Sequence, residues 1–419
     1  MPHLWDCLRI GIDNNLSLEG KRKEIQKSKY GVSENRSKLL PQINAIAGYN
    51  NNFDPPVSVT DGSSYGVPYN ITKTLQHSAN AGLEMQMPLF NQTLYTSMSI
   101  AKVMEEISRL SYGKAREDVI LQISKMYYLG QVTAEQIMLI KANITRLEEL
   151  RDITQAFFDN GMSMEVDLKR VNINLENLKV QYDNAQAMMK QQLNMLKYIM
   201  DYPAEKEIAL TPVNTDSITT VALTGLSENI YELQLSQSQV QLAERQKKII
   251  TNGYIPSLSL TGSWRYAAYT DKGYHWFHSG PSNQWFRSYG VGLTLRIPIF
   301  DGLDKTYKIK KAMIDIENKR LAWEDARKNL QTQYLNAVND LMNNQRNFKK
   351  QKDNYLLAED VYAVTSDRYR EGIASMTEVL QDEMQMSEAQ NNYISAHYNY
   401  RVTNLMLLKL TGQIESLVK

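Results

Sequence analysis

Two stretches fix what this chain can fold into. Residues 91–160 contain no proline and only Gly113 and Gly130, and residues 303–370 contain neither proline nor glycine. Such runs propagate as α-helix until something stops them. At 1.5 Å per residue the first is a helix about 100 Å long, longer than any compact core. Each run stops at a glycine. Tyr369-Arg-Glu-Gly372-Ile-Ala-Ser-Met-Thr-Glu378-Val379 and Phe158-Asp-Asn-Gly161-Met-Ser-Met-Glu-Val-Asp167-Leu168 share one form, an aromatic before the glycine and an acid-aliphatic pair after it. Glycine supplies the left-handed residue that ends a helix, and a nearby Ser or acid caps the next. The chain therefore holds two helical hairpins. These residues alone are explained by plain hairpin turns, with docking tips as the second reading.

The return helices carry coiled-coil seams. After Gly161, Leu168, Val171, Leu175, Leu178, Tyr182, Ala185 and Met189 keep three-four spacing; after Gly372, Val379, Met386, Ala389, Tyr393, Ala396, Tyr400, Leu407 and Leu410 do so, weakened by Asp382 and Thr403. Before each hairpin come a helix (4–38, interrupted at Asn14-Asn15, and 226–252) and two alternating stretches. Strands are predicted from Pro41, with Ile43, Ala45, Ala47 and Tyr49 on one face; at 80–88, with Ala81, Leu83, Met85 and Met87; from Pro256, with Leu258, Leu260, Trp264 and Tyr266; and at 289–297, with Tyr289, Val291, Leu293, Leu295 and Ile297. Residues 50–77 and 268–284 read as loops, and 202–224 as an irregular connector with one short strand. The spacing from Pro88 to Gly161 is 73 residues and from Pro298 to Gly372 is 74. We take this as an internal duplication: 1–210 and 226–419 as repeats, joined by 211–225.

Composition excludes several classes. A net charge of +1 over 419 residues gives no push toward nucleic acid, and one cysteine, Cys7, rules out an intrachain disulfide framework or a cysteine zinc site. There is no phosphate loop, paired-histidine helix motif or nucleophile elbow. His275 and His278 share a loop but lack a third ligand. Met188, Met189, Met195 and Met200 read as core packing rather than copper ligands. No catalysis or cofactor is expected. The first residues show no export signal, which suits either a cytoplasmic protein or a start internal to the true one; Trp5 and Asp6 argue against lipidation at Cys7.

No apolar run reaches the roughly 18 residues of a spanning helix, but strands cross bilayers too. Each predicted strand has about ten residues, one apolar face and one polar, as in a membrane barrel. A soluble sandwich strand has the same pattern, and helices of such length are what disfavour it. Four strands cannot close a barrel. In lipid their open edges would leave on the order of ten backbone groups unpaired at several kcal/mol each, so one chain cannot be the membrane form. Three copies give twelve strands and room for a lumen, whereas two give eight and a filled interior. Tyr266, Tyr269, Tyr274, Trp276, Phe277, Trp285, Phe286 and Tyr289 suit an interfacial girdle and outer loop.

These features together resemble the outer-membrane efflux factors of the TolC type, over nearly the whole chain. The resemblance is carried by Asn14-Asn15-Leu16-Ser17-Leu18, the strand-opening Pro41 and Pro256, Met87-Pro88-Leu89-Phe90-Asn91, Ile297-Pro298-Ile299-Phe300-Asp301-Gly302 and the two glycine turns. It implies a mainly α fold with β, a homotrimer in which long antiparallel hairpins form an α-helical barrel and four strands per chain share a 12-stranded transmembrane β-barrel. Substrates would leave through its lumen, in an efflux pump or type I secretion system. The implied partners are a periplasmic adaptor (membrane-fusion) protein, an inner-membrane transporter and outer-membrane lipid. Gly161 and Gly372 match the adaptor-docking tips, Asp167 and Tyr369 match positions of closing contacts between hairpins, and Glu378 matches an acidic position ringing the entrance. Gln381 stands where some relatives have a second acid, which argues against a double ring. The alternatives are a soluble coiled-coil scaffold and an adaptor protein; duplicated strand pairs disfavour the adaptor.

Overall fold

The computed structural model describes residues 3–212, 225–271 and 285–418. The chain forms two compact units, one of Met1–Ile25, Ile107–Ser238 and Arg320–Lys419, the other of Gln26–Glu106 and Gln239–Lys319. Each unit draws on both halves of the sequence.

The second unit carries a four-stranded antiparallel sheet in the order β1-β4-β5-β6, built from β1 (Gln42–Asn51), β4 (His77–Phe90), β5 (Ser257–Thr270) and β6 (Trp285–Arg296). Its register aligns the predicted apolar faces across all four strands. Ile43 lies opposite Met85, Met85 opposite Gly262 and Gly262 opposite Val291. One row further, Ala45, Leu83, Trp264 and Tyr289 line up in the same way. The rows between are polar: Asn44, Glu84 and Ser263 meet Gly290. Because side chains alternate with a period of two, this register gives the sheet one apolar and one polar face. The apolar face is uncovered, with Val291 80% and Ile43 65% exposed. On the polar face Arg265 pairs with Glu84 across β4 and β5.

Several boundaries differ from the sequence reading. Residues 50–77 are not all loop: β2 (Val57–Asp61) and β3 (Tyr69–Lys73) form a separate antiparallel hairpin. Val57 and Val59 alternate with Ser58 and Thr60, but five-residue alternations are easily masked by the turn-forming residues around them. Strand β4 does not end at Pro88. It continues to Phe90, and the pairing shifts register between Pro88 and Phe90, since proline has no N–H to give. Strand β6 stops at Arg296, before Ile297. The short strand expected in the connector falls largely on 213–224, and Tyr274, His275, Trp276, Phe277 and His278 also lie outside the described residues.

The helices agree closely with the reading. Helix α1 (Leu4–Asn14) and α2 (Leu16–Ser37) are separated at Asn15, whose Oδ1 accepts from Leu18 N at 3.1 Å and so caps α2. Its Nδ2 donates to the carbonyl of Ile199 at 2.7 Å, fixing the break against the end of α4 (Glu165–Met200). The long helices come in matched pairs. Helix α3 (Gln92–Asp159) has 68 residues and α6 (Asp304–Arg370) has 67; their return partners α4 and α7 (Met376–Leu410) have 36 and 35. Helix α5 (Tyr231–Asn252) starts later than the predicted 226. Among the described residues no helix is long and apolar enough to cross a membrane.

The first unit is held by apolar clusters along the hairpins. One gathers Leu8, Leu18, Ile120, Tyr127, Leu196, Met200 and Leu405. Most of both predicted seams is buried, with Val171, Val379, Met386 and Leu407 each 0% exposed, whereas Leu168, Tyr182, Met189 and Ala389 are only half-buried. Among the four methionines read as core packing, Met200 is buried, but Met188 and Met195 are about half exposed and correct that reading.

Candidate gate at the hairpin turns

Gly161 and Gly372 take positive φ, 74° and 75°, and close their helices identically. Gly161 N donates to Phe158 O at 2.9 Å and Met162 N to Phe157 O at 2.7 Å; Gly372 N donates to Tyr369 O at 2.9 Å and Ile373 N to Arg368 O at 2.8 Å. This is the paired hydrogen bonding of a Schellman turn. The helices that follow start differently. Ser375 Oγ accepts from Glu378 N while the Glu378 carboxylate accepts from Ser375 N at 3.0 Å, a complete capping box. At the first turn Met164 offers no side-chain cap, and Glu165 and Asp167 supply the acidic first turn instead.

The two turns share one core. Leu147, Leu150, Val171, Leu175, Tyr362, Tyr369, Met376 and Val379, from all four hairpin helices, pack together. Tyr369 is its polar anchor: it is buried, its hydroxyl donates to Thr154 Oγ1 at 3.3 Å, and its ring lies 5.7 Å from that of Phe157. It thereby joins α6 to α3. Asp167 pairs with Arg170 on its own helix at 3.2 Å, and Arg170 also reaches Thr377 of α7 at 3.4 Å. Asp167 thus meets the second hairpin through Arg170. Glu378 is exposed beside them. Around the turns Met162, Met164, Val166 and Ile373 are exposed apolar side chains.

Sequence reasoning missed the ionic and polar contacts between hairpins. Arg146 joins Glu359 at 2.9 Å, and Arg370 reaches Glu149 at 3.5 Å. It also missed a row of buried polar residues at strict seven-residue spacing along α7 and its C-cap: Glu383, Gln390, His397, Asn404 and Thr411. Gln390 exchanges amide hydrogen bonds with Asn143, and His397 Nε2 accepts from Arg401 Nε at 3.0 Å. Tyr393 donates to Glu135 at 3.0 Å beside them. Burial pushes the Glu383 carboxyl up to about 6, and burial, aided by the Glu383 charge, pushes the Tyr362 hydroxyl up to about 12. The heptad repeat of polar residues was the signal available in the sequence. It was passed over because seams are sought as apolar rows.

This arrangement has known counterparts. The profile of the family described as "Outer membrane efflux protein" matches residues 10–200 and 222–413. The outer membrane protein TolC of Vibrio cholerae is 21% identical over 399 residues, covering 91% of this chain and 84% of its own. The probable efflux pump outer membrane protein TtgC of Pseudomonas putida is 23% identical, covering 98% of this chain and 83% of its own. Among solved structures, CusC superposes with a TM-score of 0.81 at 16% identity, covering 98% of this chain and 92% of that one. The outer membrane protein VceC of Vibrio cholerae gives 0.78 at 14% identity, with 97% and 96% covered. A duplicated hairpin-and-strand chain matched along both halves in this way is no soluble scaffold: it belongs to the outer membrane efflux protein family and is an efflux duct of the outer membrane.

Proposed function

We propose that the duct is a homotrimer, with three four-stranded sheets closing into a twelve-stranded barrel and three pairs of hairpins continuing it as a helical barrel. The observation that carries this is the sheet itself. Strands β1 and β6 are its two edges, and the apolar face stands uncovered in the single chain. Open edges in hydrocarbon cost several kcal/mol per unpaired group, so each edge needs a neighbour's strand. The apolar face then meets lipid and the polar face, with Asn44, Glu84, Ser263 and Arg265, lines water. Tyr289, exposed on the apolar face, suits the interfacial girdle, whereas Tyr269 and Phe286 alternate onto the polar face.

The turn end serves as the periplasmic gate and adaptor-docking end. Exposed Met162, Met164 and Ile373 offer an apolar rim for an adaptor, while Tyr369 and Asp167, through Arg170, hold the hairpins together in the closed duct. Three copies of Glu378 would ring the mouth and favour cations. The duct is passive: an inner-membrane transporter supplies the energy through the adaptor, in a tripartite pump or type I secretion system. Single-channel recording in planar bilayers tests this reading. Cation-selective channels that lose selectivity with Glu378→Gln support it; unchanged selectivity removes the ring, and an absence of channels removes the duct.

A further inference from the structure

Glu383 is the exception in the polar row of α7. Gln390, His397 and Thr411 each hold a partner within the chain. Glu383 is 4% exposed, and its Oε1 meets no hydrogen-bond partner. A carboxylate removed from water and from donors is costly, and it calls for a cation or an N–H group.

The side chain lines a notch of about 360 Å³ between α4 and α7, helices of different hairpins. Asn174 and Asn177 of α4 and Ser387 and Asn391 of α7 line it too, and the exposed Glu388 adds a second carboxylate. No lysine or arginine contributes to the lining, so the two acids have no counter-charge there. Among the described residues no three or more His, Cys, Asp or Glu gather as metal ligands, whereas carboxylates and carboxamides are the acceptors an ammonium group seeks. Glu388 stands five positions beyond Glu383, about 7.5 Å along the helix axis and about 140° around it, so a short diamine would meet it at the exposed side of the notch.

We propose that this notch binds small organic amines, with Glu383 taking one ammonium group of an α,ω-diamine and Glu388 the other. The asparagine side chains accept the remaining N–H groups. A bound diamine ties the return helix of one hairpin to that of the other. The site lies within one chain, so it does not depend on the trimer or on conductance.

The test is calorimetric titration of 1,5-diaminopentane into the protein purified from outer membranes in detergent. The expected result is saturable binding at one site per chain, weakened about tenfold or more by Glu383→Gln, which removes a charge-assisted hydrogen bond. Glu388→Gln should reduce the affinity for the diamine to that for 1-aminopentane. Ser387→Phe, which fills the notch and leaves both acids, should also abolish binding and serves if the Glu383 variant fails to assemble. No saturable heat with the unaltered protein, or an affinity unchanged from it in both the Glu383→Gln and Ser387→Phe variants, overturns the site. Saturable Glu383-dependent heat from calcium ions but none from the amine overturns the ligand class.

Discussion

Replacing Tyr369 separates two parts of the proposed gate contact. The Tyr369 hydroxyl donates to Thr154 Oγ1, and Thr154, itself 0% exposed, already spends its own proton on the Leu150 carbonyl. Tyr369→Phe therefore costs one hydrogen bond and leaves a buried acceptor lone pair without a donor, about 1–1.5 kcal/mol. Tyr369→Ala also removes the ring from Phe157 and opens a cavity among Leu147, Leu150 and Val379, about 3–5 kcal/mol. If the contact is broken when the duct opens, these energies appear directly in the gating equilibrium. At about 1.4 kcal/mol per factor of ten, Phe raises the open-to-closed ratio up to about tenfold and Ala at least a hundredfold. Open probability in planar bilayers reads this, with thermal unfolding of the same variants as the control for stability. Variants that lower the unfolding temperature in the order Phe then Ala, yet leave open probability unchanged, would show that Tyr369 is a core residue in both states and refute the gating argument.

Further outcomes follow from single features. Ala at Gly161 or Gly372 meets nothing within 4 Å, so only the positive φ is penalised: each should cost about 1–2 kcal/mol in thermal unfolding, with Asn costing less. Glu383 has a folded pKa raised from 4.5 to about 6, so below pH 4.5 it costs nothing and across that window stability falls by about 2 kcal/mol, remaining lower at higher pH; Glu383→Gln should abolish that slope in unfolding curves taken without amine. Val291→Arg on the apolar face of β6 should cost about 2–4 kcal/mol and reduce the yield in outer membranes, whereas Thr294→Arg on the polar face should be tolerated, as read by fractionation and immunoblot.

Much of the fold was legible because its signals are periodic and repeated. The matched helix pairs follow from proline-free runs ended by glycines whose positive φ is the property the sequence argument needed. The sheet was legible because four alternations with a common polarity can only be registered with their apolar faces together. What escaped the reading was local or cross-helical. The β2–β3 hairpin is two five-residue strands inside turn-forming composition. Pro88 reads as a stop, yet as the site of a register shift it loses only the pairing it could not make. The candidate gate residues were proposed by resemblance, while Thr154 and Arg170, the partners of Tyr369 and Asp167, carry no mark in the sequence because their roles depend on which helix lies opposite.

The central claim is that the open sheet is completed by two further copies of the chain. The number of chains per particle, measured by light scattering with detergent mass subtracted on protein extracted from outer membranes, tests it most directly. The account predicts three chains in a particle that resists dissociation. One or two chains per particle would leave the edges of β1 and β6 without the pairing that a twelve-stranded barrel requires, and would contradict it.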